Sequence, residues 1–151
     1  MSRSGWLRIE VASADKYVTT LEVFVDDGDF RGKVRLACPP VDFDAVATAF
    51  DGFPKSAVDE RAWEFPAIMG ADGGRAAIRL NCSDSVGHAV CCVHLHEPPR
   101  SRQALPENEK PLRVVLAAFP IVASAVDNFV AELRGVKASA AARPGGSLPS
   151  R

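Results

Sequence analysis

The sequence predicts an α+β domain whose sheet is mainly antiparallel, with six or seven strands and two helices packed on one face. Three observations predict this class. Most segments with alternating apolar residues are joined by short turns, as antiparallel hairpins require. Two other segments have apolar residues at helical spacing. The chain of 151 residues is 47% hydrophobic and 25% charged, which is the composition of one ordinary globular domain.

The first half of the chain predicts three strands and a helix. Strands are expected over residues 6–12, 17–25 and 31–37, because apolar and polar residues alternate in each. Gly28 lies in an acidic turn after the second strand, where it is available for a positive φ. Asp42 is predicted to cap a short helix, whose apolar residues fall at i, i+3, i+4 and i+7: Phe43, Val46, Ala47 and Phe50.

The second half predicts four strands and a second helix. The strands are expected over residues 63–69, 75–82, 88–97 and 112–118, which gives the order β-β-β-α-β-β-β-β-α. Pro120 is expected to open a helix with this apolar stripe: Val122, Val126, Phe129, Val130 and Leu133. Residues 1–134 are predicted to form a single α+β domain, and residues 135–151, which lack periodicity, a disordered C-terminal tail.

One strand-to-helix pattern occurs twice, at residues 34–46 and 114–126. Aligned without gaps, the two copies share these residues: Val34/Val114, Leu36/Leu116, Ala37/Ala117, Pro40/Pro120, Ala45/Ala125 and Val46/Val126. The recurrence has two explanations, a duplication or the common needs of any strand that runs into a helix. Both explanations predict a strand end followed by a helix start.

The net charge, the N-terminal residues and the spacing of the cysteines argue against several classes of function. The formal net charge of −1 argues against nucleic acid or a membrane surface as a partner. The N-terminal residues lack the continuous apolar stretch of a secretory signal, and the four cysteines lack the spacing of a disulfide framework. A cytoplasmic location is therefore expected.

All three histidines fall within one predicted strand. Strand alternation puts His88, Cys92, His94 and His96 on one face, where imidazole and thiolate groups could converge on a zinc ion. The alternative is a solvated strand face, because no further ligand is identified elsewhere in the chain. No cofactor is predicted, and a small metal- or thiol-dependent enzyme or metal-binding protein using this strand is kept as the alternative function.

The open face of the predicted sheet is the preferred candidate site. Apolar side chains rimmed by basic ones are typical of protein-binding surfaces. The predicted members of this surface are Phe24, Lys33, Arg35, Arg75, Arg79, Val90, Arg113 and Val115. They favour a non-catalytic protein-binding module that contacts a protein partner or forms a homodimer through this face.

Several short motifs resemble those of the WapI-like immunity proteins of bacteria. They are the Phe30-Arg-Gly32 strand start, the helix end Ala49-Phe-Asp-Gly-Phe-Pro54, the turn Asp84-Ser-Val-Gly-His88 and the closing strand and helix, and together they span residues 21–133. The resemblance implies a non-enzymatic protein that binds a toxin in the cytoplasm. It assigns no functional residues.

Overall fold

The computed structural model describes residues 5–65, 75–96, 114–135 and 146–149. Its elements follow the predicted order, with one further strand at the end: β1 Trp6–Ala14, β2 Thr19–Asp26, β3 Arg31–Cys38, α1 Phe43–Phe50, β4 Glu60–Phe65, β5 Arg75–Cys82, β6 Ala89–His96, β7 Val114–Ile121, α2 Ala123–Gly135 and β8 Gly146–Pro149. The α+β class, with antiparallel strands and two helices, is confirmed. Neither helix in the described ranges is long and apolar enough to cross a membrane.

The strands form two sheets, so the prediction of one sheet with both helices on one face is wrong. Sheet A has the order β3-β2-β1-β8 and sheet B the order β4-β5-β6-β7. Each sheet buries one face in a common core, to which both helices contribute. Two short helices cannot cover two such apolar faces, whereas sheets that face each other cover both. The helices pack against each other, and α1 also contacts β4.

The start of α1 follows the predicted capping pattern. The side chain of Asp42 accepts hydrogen bonds from the backbone N–H groups of Asp44 at 3.0 Å and Ala45 at 3.2 Å. The four residues predicted for the inner face of α1 are all buried. Gly28 has a φ of 98°, as the turn required.

Strand β7 faces the opposite way from the prediction. Val115 was expected on the open face, but it packs inward: a Cβ added to Gly32 of sheet A would lie 3.0–3.3 Å from three of its atoms. Leu116 is instead exposed. The prediction failed because β7 is apolar at odd and even positions alike, so alternation does not define its inner face.

The two copies of the repeated pattern agree in their helices and differ in their strands. Phe43 and Ala123 are the first helical residues of the two copies and occupy aligned positions. Leu36 is buried, whereas the aligned Leu116 is exposed. Strand β7 also continues through Pro120 to Ile121, so Pro120 does not open the helix, and Val122 lies outside it and is exposed.

Four residues of the predicted disordered tail form β8. This strand pairs with β1 in antiparallel register, from Trp6 opposite Pro149 to Ile9 opposite Gly146. These residues lie within the segment predicted to be a disordered tail. Their Gly, Ser and Pro content carries no strand signal, and the pairing is supplied by the free edge of β1. Gly135, the first residue of the predicted tail, ends α2, and residues 136–145 and 150–151 lie outside the described residues.

Candidate binding groove

The predicted binding surface is divided between the outer faces of the two sheets. Phe24, Lys33 and Arg35 lie on the outer face of sheet A. Arg75, Arg79 and Val90 lie on the outer face of sheet B. Val115 faces the core, as described above, and Arg113 lies outside the described residues. The structure therefore does not bring the predicted set together.

On the outer face of sheet A, the charged groups largely satisfy one another. Phe24 lies between its two cross-strand neighbours, Arg8 and Lys33. The Arg8 guanidinium carbon is 4.9 Å from the centroid of the Phe24 ring, and Lys33 Nζ is 5.7 Å from it. Lys33 Nζ also lies 3.4 Å from Glu22 Oε2, and Arg8 Nε lies 3.4 Å from Glu10 Oε1. These cation–π contacts and ion pairs match the charges of Arg8 and Lys33, whereas Arg35 is exposed and has no ion-pair partner among the described residues.

The outer face of sheet B contains a groove of about 610 Å³. Its floor lies low because alanines occupy outward positions on two strands, Ala62 of β4 and Ala77 of β5. Glu64, Ala77, His94 and Leu116 form one row across the four strands. Three strand spacings of about 4.8 Å make this row about 14 Å long. The volume lies within the range of pockets that bind small molecules or short peptide segments.

The rim of the groove carries one carboxylate without a partner. Arg79 Nε lies 3.3 Å from Glu60 Oε1, so the positive charge of Arg79 is compensated. Glu64 is exposed and has no ion-pair partner among the described residues. At the other end of the row, Leu116 has 71% of its surface exposed. The groove therefore has an acidic end and an apolar end.

The four predicted metal ligands do not converge. His88 lies in the β5–β6 turn, where its Nδ1 is 2.5 Å from Asp84 Oδ2. Asp84 also accepts hydrogen bonds from two backbone N–H groups, and these bonds, with that of His88, hold the pKa of the Asp84 carboxyl below its usual value. His94 and His96 are adjacent, with ring centroids 4.3 Å apart. Within the described ranges, no three His, Cys, Asp or Glu residues are placed to hold a metal ion.

Two of the residues that line the groove carry groups able to act in catalysis. Cys92 and His94 both line it, which brings a thiol and an imidazole to the same face. The central strands of the groove are β5 and β6, each of which pairs with a strand on both sides. Their backbone N–H groups are therefore committed to the ladders and do not form an oxyanion hole. A thiol nucleophile at Cys92 would act without that stabilisation.

The predicted site residues did not include Leu116, Ala62, Ala77 or Glu64, all of which line the groove. Leu116 was missed because the inner face of β7 was assigned to the wrong parity. The alanines carry no chemistry of their own, and a small outward residue becomes a groove floor only beside larger neighbours. The alternation in β5, with Arg75, Ala77 and Arg79 outward, was the one available signal.

Comparisons with models of known protein families, with characterised proteins and with solved structures give no match. The likeness to the WapI-like immunity proteins therefore stays a prediction.

Proposed function

We propose that the chain is a non-catalytic protein-binding module, and that the groove of sheet B receives an extended segment of its partner. The groove itself is the observation that supports this function. It combines two outward alanines with the exposed Leu116 and with Glu64, a carboxylate that has no ion-pair partner among the described residues. Apolar anchors seated in a recess and surrounded by polar groups contribute most of the affinity at protein interfaces.

The chemistry of the groove defines the segment that fits it. An apolar side chain of the partner would lie over Ala77 and contact Leu116. A basic side chain would lie against Glu64, because Arg79 is already matched by Glu60. Charge complementarity of this kind selects among partners of similar shape.

The resemblance to immunity proteins suggests a toxin as the partner and the cytoplasm as the place of binding. Both statements are part of the proposal. If a toxin is encoded by a gene adjacent to that of this protein, co-expression should yield a complex of the two chains. A complex that persists when the groove is filled would contradict this site.

The binding test uses peptides, since it does not require the partner to be known. A phage-displayed peptide library would be selected on the purified chain, and the affinity of the enriched peptides measured by biolayer interferometry. Ala77→Phe fills the groove without entering the core. We expect it to weaken binding roughly tenfold or more, the loss typical of a blocked anchor pocket. Ala37→Phe makes the same change on the outer face of sheet A and should leave affinity unchanged.

Reversing the charge of Glu64 provides a second, independent test of the same binding site. Glu64→Lys should weaken the same peptides, and the enriched sequences should contain Lys or Arg beside an apolar residue. Failure to enrich any peptide, or equal binding to the Ala77→Phe and Ala37→Phe variants, would refute the proposed function.

A further inference from the structure

The edge strand β7 differs from the other edges of the two sheets. Its eight residues, Val114–Ile121, include no charged side chain. The edge strands β3 and β4 carry three charged residues each, and β8 is only four residues long. Charges and short length are the usual protection against pairing with another strand. Within the described residues, β7 pairs with β6 alone.

The proline of β7 indicates which backbone groups face outward. A proline is compatible with an edge strand when its nitrogen points away from the neighbouring strand, because it has no N–H to donate. Pro120 lies opposite Val90 of β6 in the ladder. Backbone groups alternate in direction along an antiparallel strand, so Val114, Leu116 and Ala118 present their N–H and C=O groups to the free edge.

The side chain of Leu116 lies beside the same edge. It is 71% exposed on the outer face of sheet B. A Leu side chain in contact with solvent does not contribute the favourable free energy that its burial would give. A strand added to β7 would place a residue directly opposite Leu116, with Cβ atoms about 5 Å apart. Pairing of β7 with a further strand would therefore cover both the exposed leucine and the unprotected edge.

We propose that β7 pairs with β7 of a second copy of this chain, in antiparallel orientation about a two-fold axis at Leu116. In this register Leu116 faces Leu116 of the other copy, and Val114 faces Ala118. The three outward-facing positions of each strand then form about six interchain hydrogen bonds. Pro120 falls beyond the paired segment. An uncharged strand is complementary to itself, which is the condition for an isologous two-fold contact.

The dimer does not depend on the function proposed for the groove. It buries the end of the groove at Leu116 but leaves Ala77 and Glu64 open, and the grooves of the two copies become continuous across the axis. A chain that dimerises without binding peptides, or binds peptides as a monomer, would separate the two proposals.

Sedimentation velocity of the full chain over micromolar concentrations tests the dimer. We expect a species of twice the monomer mass of 16.1 kDa at the upper end of the range. Leu116→Lys should raise the dissociation constant roughly tenfold or more, since it places two positive charges opposite each other at the axis. Phe30→Lys is the matched control, because Phe30 is also 71% exposed but lies outside β7. A monomer throughout the range for the unmodified chain would overturn the proposal.

Crosslinking tests the register. In a chain with Cys82 and Cys92 replaced by Ser, Leu116→Cys places two thiols opposite each other across the axis, and oxidation should give a covalent dimer. Ala118→Cys lies opposite Val114 and should not crosslink. Equal crosslinking of the two variants, or a dimer unaffected by Leu116→Lys, would show that the chains associate through another surface and would overturn the proposed pairing.

Discussion

The contact between Gly32 and Val115 offers a direct test of how the two sheets pack. Gly32 of β3 and Val115 of β7 lie on the inner faces of different sheets. A methyl group at residue 32 would approach Cγ1 of Val115 to 3.0 Å, Cγ2 to 3.2 Å and Cβ to 3.3 Å. Since these separations are shorter than ordinary van der Waals contact, Gly32→Ala requires Val115 or its strand to move.

The cost follows from two opposing terms. Overpacking of this kind destabilises a core by about 2 kcal/mol. Replacing Gly by Ala restricts the unfolded chain and offsets about 0.5 kcal/mol of that cost. We therefore expect Gly32→Ala to lower the free energy of unfolding by about 1.5 kcal/mol. In a Val115→Ala background the two Cγ contacts are absent and only the Cβ contact at 3.3 Å remains, so the same substitution should be neutral or slightly stabilising.

Urea unfolding followed by tryptophan fluorescence would provide the four free energies of this double-mutant cycle. We expect a coupling of about 2 kcal/mol between residues 32 and 115. Gly135→Ala is the control substitution, because a Cβ at residue 135 meets no atom of the described residues within 4 Å, and it should be additive with Val115→Ala. If Gly32→Ala had the same effect in both backgrounds, Val115 would not face sheet A and the inward orientation of β7 would be refuted.

Three further predictions concern the rest of the fold. Asp42→Ala removes the N-cap of α1 and should lower the unfolding free energy by about 1 kcal/mol, whereas Asp42→Asn should retain most of it. Arg61 donates to both carboxylate oxygens of Asp59 and to two carbonyls at the end of α1, so Arg61→Ala should cost about 2 kcal/mol in urea unfolding. The hydrogen bonds from Arg61, and then that from the backbone N–H of Lys55, lower the pKa of Asp59, so its contribution to stability is complete at neutral pH and lost as pH falls below the usual value of 3.8. An NMR titration of Arg61→Ala should show the pKa of Asp59 rising toward that value, with the Lys55 bond still holding it below. Burial raises the pKa of Cys38 to about 11 and that of Cys91 further, so these two thiols should react with a disulfide reagent only after unfolding, while the other two react at once.

The elements were predictable where one local signal was sufficient. The capping carboxylate of Asp42 and the apolar spacing after it defined α1, and strict alternation defined β2 and β5. Strand β7 lacked such a signal because its apolar residues occupy both faces. Its orientation is decided by contacts with sheet A at Gly32 and Gly5, where a Cβ on Gly5 would overlap the Phe119 side chain. No pattern within β7 encodes those contacts.

The sequence predicted which way individual site residues point, but not which of them lie together in one site. Arg79, Cys92 and His94 were assigned to the correct outward faces, and all three line the groove. His88 was assigned to the same face as a ligand, but Asp84 holds it in the turn. The separation of Phe24 and Lys33 from Arg79 reflects the division into two sheets. Strand alternation states which way a side chain points and contains no information on which strands share a sheet.

The sequence by itself determined the class of the protein: its α+β composition, the antiparallel hairpins, both helices and the charged outward positions. Local hydrogen bonding and apolar periodicity suffice for these features, because each depends on residues close together in the chain. The tertiary structure decided that two sheets face each other, that Val115 lies inside and Leu116 outside, and that Ala62 and Ala77 lie at the floor of a groove. These features arise from the burial of apolar surface between residues distant in sequence, which maximises packing over the whole core.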